Sequence, residues 1–129
     1  MRPDKLTTMA QQILADAQTD AIQRGNPEVA GLHILDALLE DRSGPGRAIL
    51  ARTGANADRV HSIVRTELDR LPRSEGASTQ GGRELMELLA HADKEAKSRS
   101  DAYVSTEHLL LALTTVKGQA KEVLHLNAV

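Results

Sequence analysis

Leu32-His33-Ile34-Leu35-Asp36-Ala37-Leu38 is answered seventy-five positions later by Glu107-His108-Leu109-Leu110-Leu111-Ala112-Leu113. Without a gap, residues 13–38 and 88–113 agree at ten of twenty-six positions: Leu14/Leu89, Ala15/Ala90, Ala17/Ala92, Ala21/Ala96, Arg24/Arg99, Val29/Val104, His33/His108, Leu35/Leu110, Ala37/Ala112 and Leu38/Leu113. The chain is a duplication, and a period of this length marks repeated supersecondary units that cannot bury their apolar faces singly.

Working outward from the first block, a helical stripe at 6, 10, 13, 17 and 21 ends at Gly25-Asn26-Pro27, with Thr7 or Thr8 able to cap its start. Further helices are predicted over about 31–40, about 46–52, and from an Asn56 cap through Val60, Ile63, Val64, Leu68 and Leu71. Residues 72–82 have the composition of a flexible connection. The second copy then runs through Leu85, Leu89, Ala92 and Ala96, breaks at 98–103 and restarts behind Ser105 as an N-cap. Val123-Leu124 match Ile49-Leu50 one residue closer in register, and Val129 falls opposite Ala55.

No segment alternates with period two, so the expected fold is all-α: a pseudo-twofold, duplicated four-helix unit whose second copy lacks its last helix. Residues 1–129 form one domain, with repeat one over about 5–71, the linker over about 72–82 and repeat two over about 83–129. Leu124 and Leu126 are expected to be left partly uncovered. Aliphatic side chains must fill the core, since Tyr103 is the sole aromatic, and the paired alanines at 17/92, 21/96 and 37/112 imply close helix contacts.

Sixteen basic and eighteen acidic residues leave a net charge of −2, which offers nucleic acid no positive field. The absence of cysteine removes thiol chemistry and fits a reducing, cytoplasmic compartment. The start Met1-Arg2-Pro3-Asp4-Lys5 lacks a signal peptide's apolar stretch, and no apolar run reaches the roughly eighteen residues of a membrane span.

Motifs for chemistry are sparse, and no catalytic residue is assigned. Gly44-Pro45-Gly46-Arg47 has neither the lysine nor the strand of a phosphate loop, so no cofactor is expected in this chain. Glu87, His91 and Glu95 would share a helix face, where a surface charge ladder accounts for them better than a metal site. His33 and His108, being equivalent, point to a duplicated structural role such as hydrogen bonding to a neighbouring helix end. Ser105 with His108 is cap spacing, and an unrecognised helical hydrolase would require a water-excluding pocket with nucleophile and base in contact. Met86 and Leu111 are apolar where Gln11 and Asp36 are polar in the first copy, which fits packing between the repeats or a partner surface.

Lys5-Leu6-Thr7 opening a helix, GNPEV with LHILDALL, DAYVSTEHLLLAL, and Leu71-Pro72-Arg73 before a glycine-rich connection together resemble the N-terminal double Clp repeat domain of Clp AAA+ proteins. Leu-Pro followed by Glu-Gly at 71–76 is similar to the ClpB disaggregase branch. The resemblance implies a client-binding appendage on a hexameric AAA+ ring. ATP and magnesium would belong to the parent protein's ATPase domains, and unfolded or aggregated proteins would be the partners. It implies a client-facing surface containing Thr7, Asp101 and Glu107. Positions matching an apolar groove of some members include His91, Glu95 and His108, which are polar here. The alternative reading within the family is an adaptor-docking N-domain of a ClpA- or ClpC-type protease unfoldase.

Overall fold

The computed structural model describes residues 3–74, 76 and 78–129; Met1 and Arg2 of the chain start and Glu75 of the linker marker lie outside them. A single 3-10 turn, Pro3–Lys5, leads into seven α-helices: α1 Thr8–Arg24, α2 Gly31–Glu40, α3 Pro45–Arg52, α4 Ala57–Asp69, α5 Arg83–Ser98, α6 Thr106–Thr115 and α7 Gln119–Leu126. No strand occurs among the described residues, so the all-helical expectation holds.

Local chemistry sets the helix limits. Thr7, rather than Thr8, caps α1, its hydroxyl accepting from the Ala10 amide at 3.1 Å. Asn56 caps α4 through the Arg59 amide at 3.1 Å. Gly25 ends α1 with φ +72°, and Ser100 occupies the same left-handed conformation after α5 with φ +58°. The bonds around them also match. Gly25 N–H donates to Ile22 and Asn26 N–H to Ala21, while Ser100 N–H donates to Lys97 and Asp101 N–H to Ala96. Serine accepts this conformation at a cost that glycine avoids.

The alanine pairs 17/92, 21/96 and 37/112 lie in the core, with Ala17, Ala21, Ala92 and Ala112 fully buried, which lets α1 close on α2 and α5 on α6, whereas Ala15 and Ala90 are exposed. Gly31 opens α2 where a side chain would meet Ala120 Cβ and Leu113 Cδ2, both at 3.2 Å. Its amide donates to Glu84 Oε1 at 2.8 Å, placing a carboxylate on the positive end of α2. Contacts from α7 reach α6, α2 and α4. Leu124 is therefore fully buried, against expectation, because α4 of the first repeat crosses over to cover it. Leu126 is 87% exposed. Its counterpart in α3 is Arg52, an exposed position, so the exposure belongs to the repeat pattern.

The connection is tied down on both sides of its centre. Ser74 N–H donates to Gly25 O, Asn26 Nδ2 to Pro72 O, Thr79 Oγ1 to Asn26 O, and Gln80 N–H to Pro27 O, all at 2.8–3.0 Å. Two isolated parallel bridges, Leu6 with Val104 and Glu28 with Gln80, join each repeat's lead-in to the other repeat's inter-helix loop. Val104 N–H donates to Lys5 O at 2.7 Å and Val29 N–H to Gln80 O at 3.0 Å. Each of these residues is seventy-five positions from its counterpart in the other bond, so the pair repeats the twofold relation.

Candidate functional site

The two shared histidines cap their own helices. The Ala30 amide, at the N-cap of α2, donates to His33 Nδ1 at 2.8 Å, and the Ser105 amide donates to His108 Nδ1 at 2.9 Å. Because Nδ1 accepts in each ring, the proton sits on Nε2. His33 Nε2–H then donates to Asn26 Oδ1, and His108 Nε2–H to Asp101 Oδ2, both at 2.8 Å. The expected structural role is correct in kind, but each bond runs to the histidine's own helix start and preceding loop. Ser105 takes the N-cap position, although His108 supplies the capping acceptor.

Asp101 thus lies where the first repeat has Asn26, a residue the sequence comparison alone did not single out. Asn26 is 2% exposed beneath the connection, whereas the Asp101 side chain is 43% exposed. The Glu107 carboxylate stands in the first turn of α6 within 4.8 Å of the ligand atoms of Asp101 and His108. Thr7 reaches the same loop, its amide donating to Val104 O at 2.9 Å. All three residues implied by the resemblance therefore gather around residues 101–108. They open onto different hollows, with Thr7 beside Met9 and Ile13 and Glu107 beside Leu110 and Leu111. Leu111 lines the second hollow, while Met86 stands 69% exposed on α5 and is not part of its lining.

A metal is a poor fit in either histidine-carboxylate cluster among the described residues. At Asp101, Glu107 and His108, the histidine nitrogen facing the carboxylates is the protonated one. At Asp36, Glu40 and His61, Arg47 donates to His61 Nδ1 at 3.1 Å, leaving the proton on Nε2 toward Asp36 at 2.9 Å. A ligating histidine instead turns a bare nitrogen to the metal and donates from the other. Burial raises the Asp36 carboxyl above its ordinary range, while the His61 hydrogen bond pulls it down.

Ser105 Oγ does lie 3.0 Å from His108 Nδ1, but that nitrogen already accepts the Ser105 amide proton and cannot serve as a free base. His91 and Glu95 form a 3.7 Å pair and are half-buried, and His108 is buried, so these positions contribute polar contacts rather than an apolar groove. An apolar hollow does exist on the pseudo-twofold axis between α1 and α5, floored by Leu6, Leu14, Val29, Leu85 and Leu89.

Residues 5–127 match the family model described as the Clp repeat N-terminal domain. The chain belongs to this family. The Clp N-domain is a non-catalytic module. The chain is 36% identical over 126 residues to the chaperone protein ClpB of Rhodopirellula baltica, covering 97% of this chain and 14% of the relative. It is 37% identical over 132 residues to ClpB of Propionibacterium freudenreichii, covering 100% and 15%. The chain thus spans about one seventh of the length of these relatives. The Hsp104 N-terminal domain from Candida albicans superposes with a TM-score of 0.83 at 22% identity, covering 95% of this chain and 81% of that one. A ClpV N-domain solved with a VipB peptide gives 0.80 at 24% identity, covering 98% and 80%, and these two likenesses speak for the fold alone. No helix among the described residues is long and apolar enough to cross a membrane.

Proposed function

We propose that this Clp N-domain binds unfolded or aggregated polypeptide for an ATP-driven, hexameric ClpB-type disaggregase, with ATP and magnesium confined to the parent protein's ATPase domains and the whole acting in the cytoplasm. The observation that carries the reading is the convergence of Thr7, Asp101 and Glu107 on one loop, two of them exposed carboxylates. Exposed carboxylates accept hydrogen bonds from the backbone amides that unfolded segments leave unpaired, and they attract basic stretches. Asp101 is held in place by a buried histidine while half its surface stays in water, so little ordering is required on binding. The ClpB relatives support the disaggregase branch, and the peptide held by a ClpV N-domain supports polypeptide as the ligand class.

Titration with reduced, carboxymethylated lactalbumin tests the proposal. Asp101→Asn and Glu107→Gln should each weaken binding with little change in melting temperature. Thr7→Ala should lose about 1 kcal/mol of stability through the cap, whereas Thr7→Ser keeps the cap and isolates the surface effect. Tight, stoichiometric binding of a protease adaptor with no affinity for the unfolded protein would overturn the reading in favour of adaptor docking.

A further inference from the structure

Between the start of α1 and the end of α2, repeat one opens a hollow of about 850 Å³. Met9, Ile13 and Ala37 are its apolar lining, and Thr7 stands beside them. Met9 is 50% exposed and Ile13 only half-buried, so this apolar surface has no cover. Three exposed carboxylates, those of Asp16, Glu40 and Asp41, share the hollow, and no arginine, lysine or histidine lines it among the described residues.

The carboxylates stand where the field of α2 opposes them. Glu40 ends the helix and Asp41 is its C-cap, with no basic residue in the last turn. The carbonyl end of a helix carries partial negative charge, so acids there are repelled by it and by each other. Arg65 answers Glu40 at 2.6 Å, and Arg47 Nε donates to the Leu39 carbonyl at 2.6 Å. Asp41 accepts from the Ser43 amide and hydroxyl at 3.1 Å, and Asp16 accepts from Gln12 Nε2 at 2.8 Å. Neither forms an ion pair among the described residues.

Repeat two closes the same place. The counterparts of Ile13, Asp16, Glu40 and Asp41 are Leu88, His91, Thr115 and Val116. Leu88 is 2% exposed where Ile13 is half-buried, and α6 ends without a charged residue. The helix pair thus folds without either the opening or the acids, and both are peculiar to repeat one.

We propose that this hollow is a second client-binding site, taking a polypeptide segment in which aliphatic side chains adjoin an arginine or lysine. The proposal rests on the polypeptide-binding reading and deepens it, since Thr7 borders both the hollow and the 101–108 loop. Aliphatic side chains cover Ile13 and Met9, a residue that adapts to different shapes. The cation supplies the partner that Asp16 and Asp41 lack at the negative end of α2. A purely apolar segment would desolvate those carboxylates without pairing them, and an acidic one is repelled.

The probes are fluorescein-labelled Gly-Ser peptides with Leu-Leu-Arg-Leu, Leu-Leu-Glu-Leu or Ser-Ser-Arg-Ser at the centre, read by anisotropy on the 129-residue chain. Leu-Leu-Arg-Leu should bind roughly tenfold more tightly than either of the others. Asp16→Lys, a change on the exposed face of α1, should reverse the order of the arginine and glutamate peptides. Asp41→Asn, which keeps an acceptor for Ser43, should narrow the gap between them. Met9→Gln should lower the Leu-Leu-Arg-Leu peptide to the level of Ser-Ser-Arg-Ser. Equal affinities for the arginine and glutamate peptides, or an order that Asp16→Lys leaves unchanged, would overturn the proposal. So would a preference that follows Asp101→Asn and Glu107→Gln instead, which places the cation at the 101–108 loop. A dimer in sedimentation equilibrium that Met9→Gln dissolves would also overturn it, by showing a second copy in the hollow. If no peptide binds while carboxymethylated lactalbumin still binds in an Asp101-dependent way, only this inference falls; if lactalbumin also fails, the broader reading falls with it.

Discussion

The loop leaving α1 and the loop leaving α5 share a backbone and differ in what lies over them. In both, a residue in the left-handed region turns the chain, the next residue accepts from a histidine, and that histidine caps the following helix. Over the first loop, Pro72, Ser74, Thr79 and Gln80 share five hydrogen bonds with residues 25–29, and Asn26 is buried. Over the second, none of the described residues takes that place, and Asp101 meets water. An amide is tolerable under cover because it both donates and accepts; a carboxylate there would lack a donor for Pro72 and lose its hydration. Position within the repeat sets the scaffold, and cover decides which copy can carry charge.

Removing the histidines should break this equivalence most visibly. His33→Ala leaves the Ala30 amide and the Asn26 carbonyl unpaired in a dry site, an expected loss of about 3 kcal/mol in urea denaturation. His108→Ala should lose about half as much, because Ser105 Oγ and water reach the vacated positions. Equal losses would mean that the cover is energetically irrelevant. Exchanging the loop acceptors comes next. Asn26→Asp should destabilise by about 2 kcal/mol by placing a carboxylate beneath the connection, while Asp101→Asn should stay within about 0.5 kcal/mol.

Smaller again is the turn itself. Gly25→Ala should lose about 1 kcal/mol, and Ser100→Gly should gain about 0.5 kcal/mol, by relieving a positive φ. The finest test is pH. Burial, aided by Arg24 and opposed by Asp20, holds the His33 imidazole below the ordinary histidine value of 6.5. As pH falls through 6.5 the unfolded chain therefore takes up the proton first, so the stability associated with a neutral His33 is complete above 6.5 and is lost below it. Melting temperatures measured from pH 8 down to pH 5 should fall, and His33→Gln, which retains an acceptor for the Ala30 amide, should flatten that fall.

The helices were legible in the sequence because caps, glycine stops and apolar spacing are local signals, and the duplication gave two readings of each. Cover is a long-range property and was not legible. Leu124 was expected at an open end because the crossing of α4 over α7 leaves no mark on the residues nearby. Ser74, Thr79 and Gln80 have a loose composition, yet their donors find acceptors some fifty residues away. The tautomers that disfavour metal at the two carboxylate clusters depend on an amide and a guanidinium that spacing alone does not bring together. Thr7, Asp101 and Glu107 were identified only through family resemblance; no periodicity distinguishes them.

The crossed lead-ins, Lys5–Thr7 on Val104 and Gln80 on Pro27 and Val29, also govern the order of assembly during synthesis. The first repeat's loop cannot be closed until Gln80 has emerged from the ribosome. Thr7 in turn waits for a residue nearly a hundred positions behind it. A nascent chain halted after α4 therefore lacks the partners of both latches, and the last latch closes only when the second half arrives.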